Sequence, residues 1–235
     1  LNEIQLNTID SYVYCWDISR HLHNKTFGLS FMKFENVIVF GLGAVGSNVL
    51  LNLIRDLPDL NYTCIDYDKV EERNYRVGTQ PYLKQHLGKY KTQAMQMICM
   101  MNANKKIEIV NKKIEDFEDV LGIINVSSPK KSPLIIDAFD KAQYRNLLGI
   151  VNKNFKIPVI HVGFSPLKTG SVIWDDMWSD ISDTKNKVDI CTMEGVRSFI
   201  MSLTSIASMS ILEYYYNDKK VNLYFDDYFM LKKML

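Results

Sequence analysis

Gly41-Leu42-Gly43-Ala44-Val45-Gly46 follows the apolar run VIVF and opens a helical pattern, which is the context of a phosphate-binding turn. The first glycine permits a tight turn, and the second lets backbone approach a phosphate. The third lets helix and strand pack closely, while free N–H groups at the helix start attract anions. About twenty residues further on, a second apolar run ends in Ile65-Asp66, where an acid can accept hydrogen bonds from ribose hydroxyls. Together these features point to a nucleotide; the alternative is a glycine turn kept for packing. They do not separate a nicotinamide dinucleotide from ATP. Hydride transfer also asks for a proton donor, often histidine. Of His21, His23, His86 and His161, only His161 lies at a strand end, where a satisfied structural role is the simpler reading.

The residues after Asp66 carry charges suited to a triphosphate. Asp66 and Asp68 flank Tyr67 and share one face of an extended chain. Asn74, Arg76 and Gln80 follow on a loop, and LGKYK places Lys91 at a helix start. Farther along, IIDAFDKAQYR contains Asp137, Asp140 and Arg145. Each has an ordinary alternative. Arg76 and Lys91 suit a surface, Asp68 suits loop orientation, and Asp137 or Asp140 suits the cap of the helix at 141.

GLGAVG, DYDKV, RNYR, LGKYK and IIDAFDKAQYR occur in the order found in the ThiF/MoeB family, adenylating enzymes related to ubiquitin-activating enzymes, and from about residue 34 onward the chain resembles that family. The resemblance implies that Gly41, Gly43 and Gly46 cradle ATP, that Asp66 holds its ribose, and that Asp68 lines the site. It implies that Asn74, Arg76 and Lys91 contact phosphates and that Asp140 binds or orients Mg²⁺. KIPVIHVGFSPLKTGSVIWD resembles the stretch before the family's crossover loop, CTMEGV the segment opening its long helix, and NLYFDDYFMLKKM its closing strand pair. The activity implied is ATP-dependent adenylation of the C-terminal carboxylate of a ubiquitin-like or sulfur-carrier protein, with release of pyrophosphate, by a homodimer or heterodimer. A free peptide C-terminus or a tRNA carboxylate is chemically possible within the family. Charge on the α-phosphate and on departing pyrophosphate would be met by Arg76, Lys91 and a carboxylate-held Mg²⁺. The rivals are a nicotinamide-dependent oxidoreductase and a non-catalytic half of a heterodimeric activating enzyme.

The sequence also departs from that pattern. Lys141 stands where members commonly have Asn, and the spacing in NYR is one residue short, which makes Arg73 a second candidate beside Arg76. Arg20, in DISRHL, is a weak counterpart of the N-terminal arginine that reaches a partner subunit's ATP. Cys191 matches the region where sulfur-transfer members form a persulfide or acyl link, although a structural cysteine is the simpler reading. No C-x-x-C pair occurs, so no zinc is expected.

The elements that must position these residues are legible as short apolar runs at 36–40, 61–66, 106–110, 133–137 and 157–162. Helical patterns lie between them at 46–56, 89–102 and 141–153. That alternation predicts a parallel sheet with helices on both faces. With the resemblance, the expected fold is α/β, Rossmann-like and mainly parallel, with a C-terminal β-hairpin and a crossover loop. One adenylation domain is expected over 1–235: an N-terminal helical segment (1–33), a nucleotide-binding core (34–163), and a crossover loop, long helix and closing hairpin (164–235). PLKTGSVIWDD reads as an extended turn, 177–189 as a polar loop, and 198–216, with its five serines, as a buried helix rather than a membrane span.

Composition agrees with an ordinary globular chain: 235 residues, 47% hydrophobic, 23% charged and a net charge of +1. Scattered Lys doublets argue against general nucleic-acid or membrane affinity. Widely spaced Cys15, Cys64, Cys99 and Cys191, with no leader visible in the sequence, fit a reducing, cytoplasmic setting. Cys15, Cys64 and Cys99 lie in apolar patterns that suggest core. Met95, Met97, Met100 and Met101 are expected to pack one helix rather than form a binding surface.

Overall fold

The computed structural model describes residues 33–128, 132–165, 169–175, 178, 195–225 and 231–233. All lie in the larger of two contact-defined units, Lys33–Leu235. Its eight strands form one sheet in the order β3-β2-β1-β4-β5-β6-β7-β8. The strands are β1 (Asn36–Phe40), β2 (Asn61–Ile65), β3 (Glu108–Val110), β4 (Leu134–Asp137), β5 (Val159–Phe164), β6 (Gly170–Trp174), β7 (Leu223–Phe225) and β8 (Leu231–Lys233). The first five are mutually parallel; β6, β7 and β8 are added antiparallel. The α/β class and the closing β7–β8 hairpin agree with the sequence reading.

Alternation along the strands explains the layers. Val37 and Val39 face one core with Val49, Leu50, Leu53 and Ile54 of helix α1 (Ala44–Asp56). Helix α3 (Lys91–Ala103) contributes Ala94, Met95 and Cys99 there, and helix α6 (Val196–Asn217) contributes Phe199, Ile200 and Leu203. Ile38 and Phe40 face the opposite core, with Val120, Ile123 and Ile124 of α4 (Phe117–Ser127) and Leu148 and Val151 of α5 (Ala142–Phe155). Strands buried on both sides need apolar residues at every position, which is why they read as unbroken runs. Short α2 (Glu72–Arg76) completes the α-helices among the described residues, and a 3-10 turn covers Lys84–His86.

Several expectations need correction. The extended turn expected at 166–176 contains β6, whose Trp174 is fully buried and donates from Nε1 to Ser210 Oγ at 2.9 Å. Helix α4 was not among the predicted elements, although Asp116 caps it by accepting from Asp119 N at 3.0 Å. Asn74 and Arg76 lie on α2 rather than on a loop. Of the four methionines, only Met95 is core; Met97, Met100 and Met101 are solvent-exposed. They share the outer side of α3, because positions three and four apart on a helix line one face.

The parallel and antiparallel parts of the sheet are joined by Asp175, at the end of β6. Its Oδ2 accepts from Val159 N at 2.9 Å and from Asn152 Nδ2 at 2.7 Å, and Lys220 pairs with Oδ1. One buried carboxylate therefore ties β5, α5, β6 and the α6–β7 connection together. Asp175→Ala would remove the acceptor from Val159 N, the ion-pair partner from Lys220 and one of the two acceptors of Asn152 Nδ2, and should lower stability by about 3 kcal/mol in urea unfolding. Asp175→Asn, which keeps an acceptor, should lose less.

Candidate active site

Phe40, Ile65 and Asp137 end β1, β2 and β4 in register, so the turns that follow emerge side by side. The chain runs from β1 towards β2 on one side and takes up β4 on the other. This is the point where strand order reverses, and the place where open α/β sheets bind ligands.

The three glycines of the turn perform three different tasks. Gly41 has φ +90°, and a Cβ there would lie 2.8 Å from Ala138 O. At Gly46 a Cβ would lie 2.0 Å from Gly41 O, so only glycine lets α1 seat against the turn. Gly43 has nothing within 4 Å of its would-be Cβ and stands at the N-cap of α1. A side chain there would obstruct only something arriving from outside. The first-turn N–H groups of α1 have no intrahelical acceptor, and together with the open approach over Gly43 they suit a phosphate.

Asp66 fixes this turn to the next loop. Its Oδ2 accepts from Leu42 N at 2.7 Å and its Oδ1 from Asp68 N at 2.8 Å. Each carboxylate oxygen retains acceptor capacity for ribose hydroxyls. Burial pushes the Asp66 carboxyl above its ordinary value; Lys91 and the two backbone donors oppose that shift, and Asp68 adds to it. Tyr82, which sequence reasoning did not single out, closes the turn from the other side by donating to Leu42 O at 2.7 Å. Nearby, Asn48 Nδ2 donates to Thr79 O at 2.8 Å. Neither contact has a sequence signature, because both span loops whose path only the fold determines.

Lys91 is the first residue of α3, as its sequence context indicated. Its ammonium reaches Asp68 Oδ2 at 2.8 Å, and its N–H donates to Asp68 O at 2.9 Å. Val70 N→Lys89 O (2.8 Å) and Gly88 N→Val70 O (2.9 Å) lace the same two segments together. The Lys91 side chain is 10% exposed, whereas Asp68 is 47% exposed, so the cation is held in place by a partner that water reaches. Asp68 does more than orient a loop: it holds the Lys91 ammonium where its charge acts on Asp66.

The other candidates are less gathered. Asn74 is buried and its Oδ1 accepts from Glu71 N at 2.7 Å, capping α2. Arg76 and Arg73 are exposed and paired on their own segment, with Glu72 at 2.6 Å and Glu71 at 2.7 Å. Exposed pairs of this kind are worth little, so either guanidinium is cheap to redirect towards an anion. Asp140 is exposed in the β4–α5 loop and makes no hydrogen bond or ion pair among the described residues. Neither Asp137 nor Asp140 caps α5; the N-cap is Lys141, without a side-chain bond. Asp137 is fully buried instead, and its Oδ2 accepts from His161 Nδ1 at 2.7 Å.

No group of three or more His, Cys, Asp or Glu that could hold a metal occurs among the described residues. A magnesium ion, which commonly takes one or two carboxylates and completes its shell with phosphates and water, asks for less. The unengaged Asp140 carboxylate suits that arrangement. Cys64 and Cys99 are buried free thiols as expected, and burial pushes Cys99 up to about 12. Arg20, Cys15 and Cys191 lie outside the described residues. No described helix is long and apolar enough to cross a membrane.

Comparison with known proteins agrees with this fold. The sequence profile of the ThiF family matches residues 19–224. Among solved structures, E. coli MccB with MccA-N7isoASN superposes with a TM-score of 0.68 at 13% identity, covering 92% of this chain and 71% of that one. E. coli MccB with ATP gives 0.66 at 13% identity, over 92% and 70%. PaaA gives 0.65 at 18% identity, over 86% of this chain and 64% of its own. At these identities the likeness establishes the shared fold. No curated protein sequence matched the chain.

Two measurements test the site. Gly43→Ala should leave the melting temperature nearly unchanged and weaken ATP binding, whereas Gly46→Ala should destabilise the fold by roughly 3 kcal/mol through overpacking. Because native Asp66 binds its proton more tightly than the unfolded chain does, its contribution favours the fold at low pH and is lost as pH rises through the raised value. The ribose acceptor behaves oppositely. ATP affinity should fall as pH drops through that value, with a slope that Asp66→Asn removes.

Proposed function

The chain belongs to the ThiF family, and we propose that it is an ATP-dependent adenylating enzyme acting on a C-terminal carboxylate. The observation that carries this reading is the junction at the sheet's carboxyl edge. An open glycine stands at the N-terminus of α1, beside a buried acid with spare acceptor capacity and a nearly buried lysine bridged to the same loop. A carboxylate oxygen of the substrate attacks the α-phosphorus, the bond to pyrophosphate breaks, and acyl-adenylate and pyrophosphate are formed. Lys91 stands where it can take up phosphate charge, releasing Asp68. Arg76, with Arg73 beside it, is within a side-chain rearrangement of doing the same. Mg²⁺, when bound, is assigned to Asp140 and supplies charge neutralisation across the phosphates. Holding both reactants in one orientation contributes as well as charge does.

The favoured substrate is the C-terminal tail of a ubiquitin-like or sulfur-carrier protein, and the favoured assembly is a homodimer or heterodimer. Both come from family membership. Solved relatives of the fold include MccB bound to MccA, so the test needs more than one class of carboxylate. The hydride-transfer alternative loses support because His161, its best proton donor, is fully buried with Nδ1 committed to Asp137. A non-catalytic scaffold would have no use for the enclosed Lys91. Residues 1–235 are read as one adenylation domain.

ATP–pyrophosphate exchange tests the proposal. Wild type should exchange with at least one class of C-terminal carboxylate, presented as a ubiquitin-like tail or a short peptide. Lys91→Ala and Asp140→Ala should each reduce the rate about a hundredfold, the cost of ~3 kcal/mol of transition-state stabilisation. Nicotinamide binding without ATP binding would overturn the reading. Thiol trapping of an adenylated partner by wild type, lost in Cys191→Ser, would assign a covalent step to that cysteine.

A further inference from the structure

Among the described residues, three of the buried polar atoms without a hydrogen-bond partner belong to one cluster behind the β4–α5 loop: Arg145 Nε, His161 Nε2 and Trp178 Nε1. The cluster is built round Asp137. Its Oδ2 accepts from His161 Nδ1 at 2.7 Å and lies 3.2 Å from Arg145 Nε, an ion-pair distance without hydrogen-bond alignment. Its Oδ1 accepts from Phe139 N at 3.1 Å. Arg145 Nη1 donates to Phe139 O at 3.1 Å and to Val162 O at 3.3 Å. Both backbone polar groups of Phe139 are thus engaged, its N–H by Asp137 and its C=O by Arg145. The next residue is Asp140.

A second layer keeps this grip in place. Trp178 stacks on His161 with centroids 3.8 Å apart and planes 13° from parallel, and the Arg145 guanidinium lies 5.5 Å from the Trp178 ring. Glycines make room for both groups. A Cβ at Gly149 would come within 2.6 Å of the Trp178 ring, and one at Gly163 within 2.6 Å of Arg145 Nη1. Asp137 and His161 are fully buried and Arg145 is 8% exposed, so none of the three offers a surface to a reactant.

The geometry points to a positioning role: Arg145, backed by the Trp178–His161 stack, aims the Asp140 carboxylate at a nucleotide-bound magnesium by holding the Phe139 carbonyl, which is in the peptide that leads into Asp140. This rests on Asp140 being the metal-binding acid of the proposed ATP site. Breaking such a grip displaces a ligand without removing it, and small displacements are costly where geometry is strict. A group that only stabilises the fold would weaken nucleotide binding alike with and without metal.

The test is equilibrium binding of ATP to the full chain, once with excess Mg²⁺ and once with EDTA, with melting temperature recorded for each variant. The ratio of the two affinities measures what the metal contributes. Asp140→Ala should bring that ratio close to unity. Arg145→Gln should reduce it on the order of tenfold, and should have no further effect in the Asp140→Ala background, as expected of two residues acting through one contact. Trp178→Ala, a milder change, should reduce it in the same direction and serves if Arg145→Gln does not fold. An unchanged ratio in Arg145→Gln, or in Trp178→Ala where that variant stands in, overturns the inference. So does an equal loss of affinity in both media. If Asp140→Ala itself leaves the ratio intact, the metal assignment fails first and the positioning role with it.

Discussion

The buried carboxylate of Asp66 accepts one backbone N–H from the glycine turn and one from Asp68, the residue that pairs with Lys91, and most of the candidate site follows from that double acceptance. An acid in this position is costly to bury unless its oxygens are occupied. Leu42 N and Asp68 N occupy them only if both loops adopt the observed path. Once they do, Asp68 is turned towards Lys91, and the lysine is held at the start of α3. The same constraint makes the glycines necessary. Gly41 must pass under Ala138, and Gly46 must let α1 descend onto Gly41 O.

Across the switch point the chain solves a related problem with different groups. Asp137 ends β4 in register with Phe40, next to the glycine turn, yet is fully enclosed and satisfied by His161, Arg145 and the Phe139 amide. Removing one member of such a set leaves an uncompensated buried charge, and that penalty exceeds what the intact set contributes to stability. The two acids of IIDAFD therefore differ in kind. Asp137 is structural support, whereas Asp140, three residues on, faces solvent with no protein partner among the described residues.

The parts legible in the sequence are those governed by local pattern. Strands buried on both faces show as continuous apolar runs, and Gly41, Gly43 and Gly46 announce their turn by spacing. Lys91 was placed correctly at a helix start, and Cys64 and Cys99 in the core. Helix α4 had a signal, Asp116 before apolar positions 117, 120, 123 and 124, that fits helical spacing. β6 was obscured by the lysine before it and the glycine that begins it, and its strand character shows in side-chain alternation supported by β5 and β7. The methionines of α3 misled because composition does not say which side of a helix has a neighbour.

The sequence by itself determined the class of fold, the order of its elements and the existence of a nucleotide turn, since each depends on residues near one another in the chain. Tertiary structure decided the rest. It separated the work of Asp137 from that of Asp140, gave Lys91 to Asp68 and left Arg76 on the surface with Glu72. It also brought Tyr82 to Leu42 and set Trp178 against His161. These outcomes depend on burial and on contacts between distant segments. A carboxylate's role is set by which donors surround it, and donors from separate loops meet only once the sheet has ordered its edges.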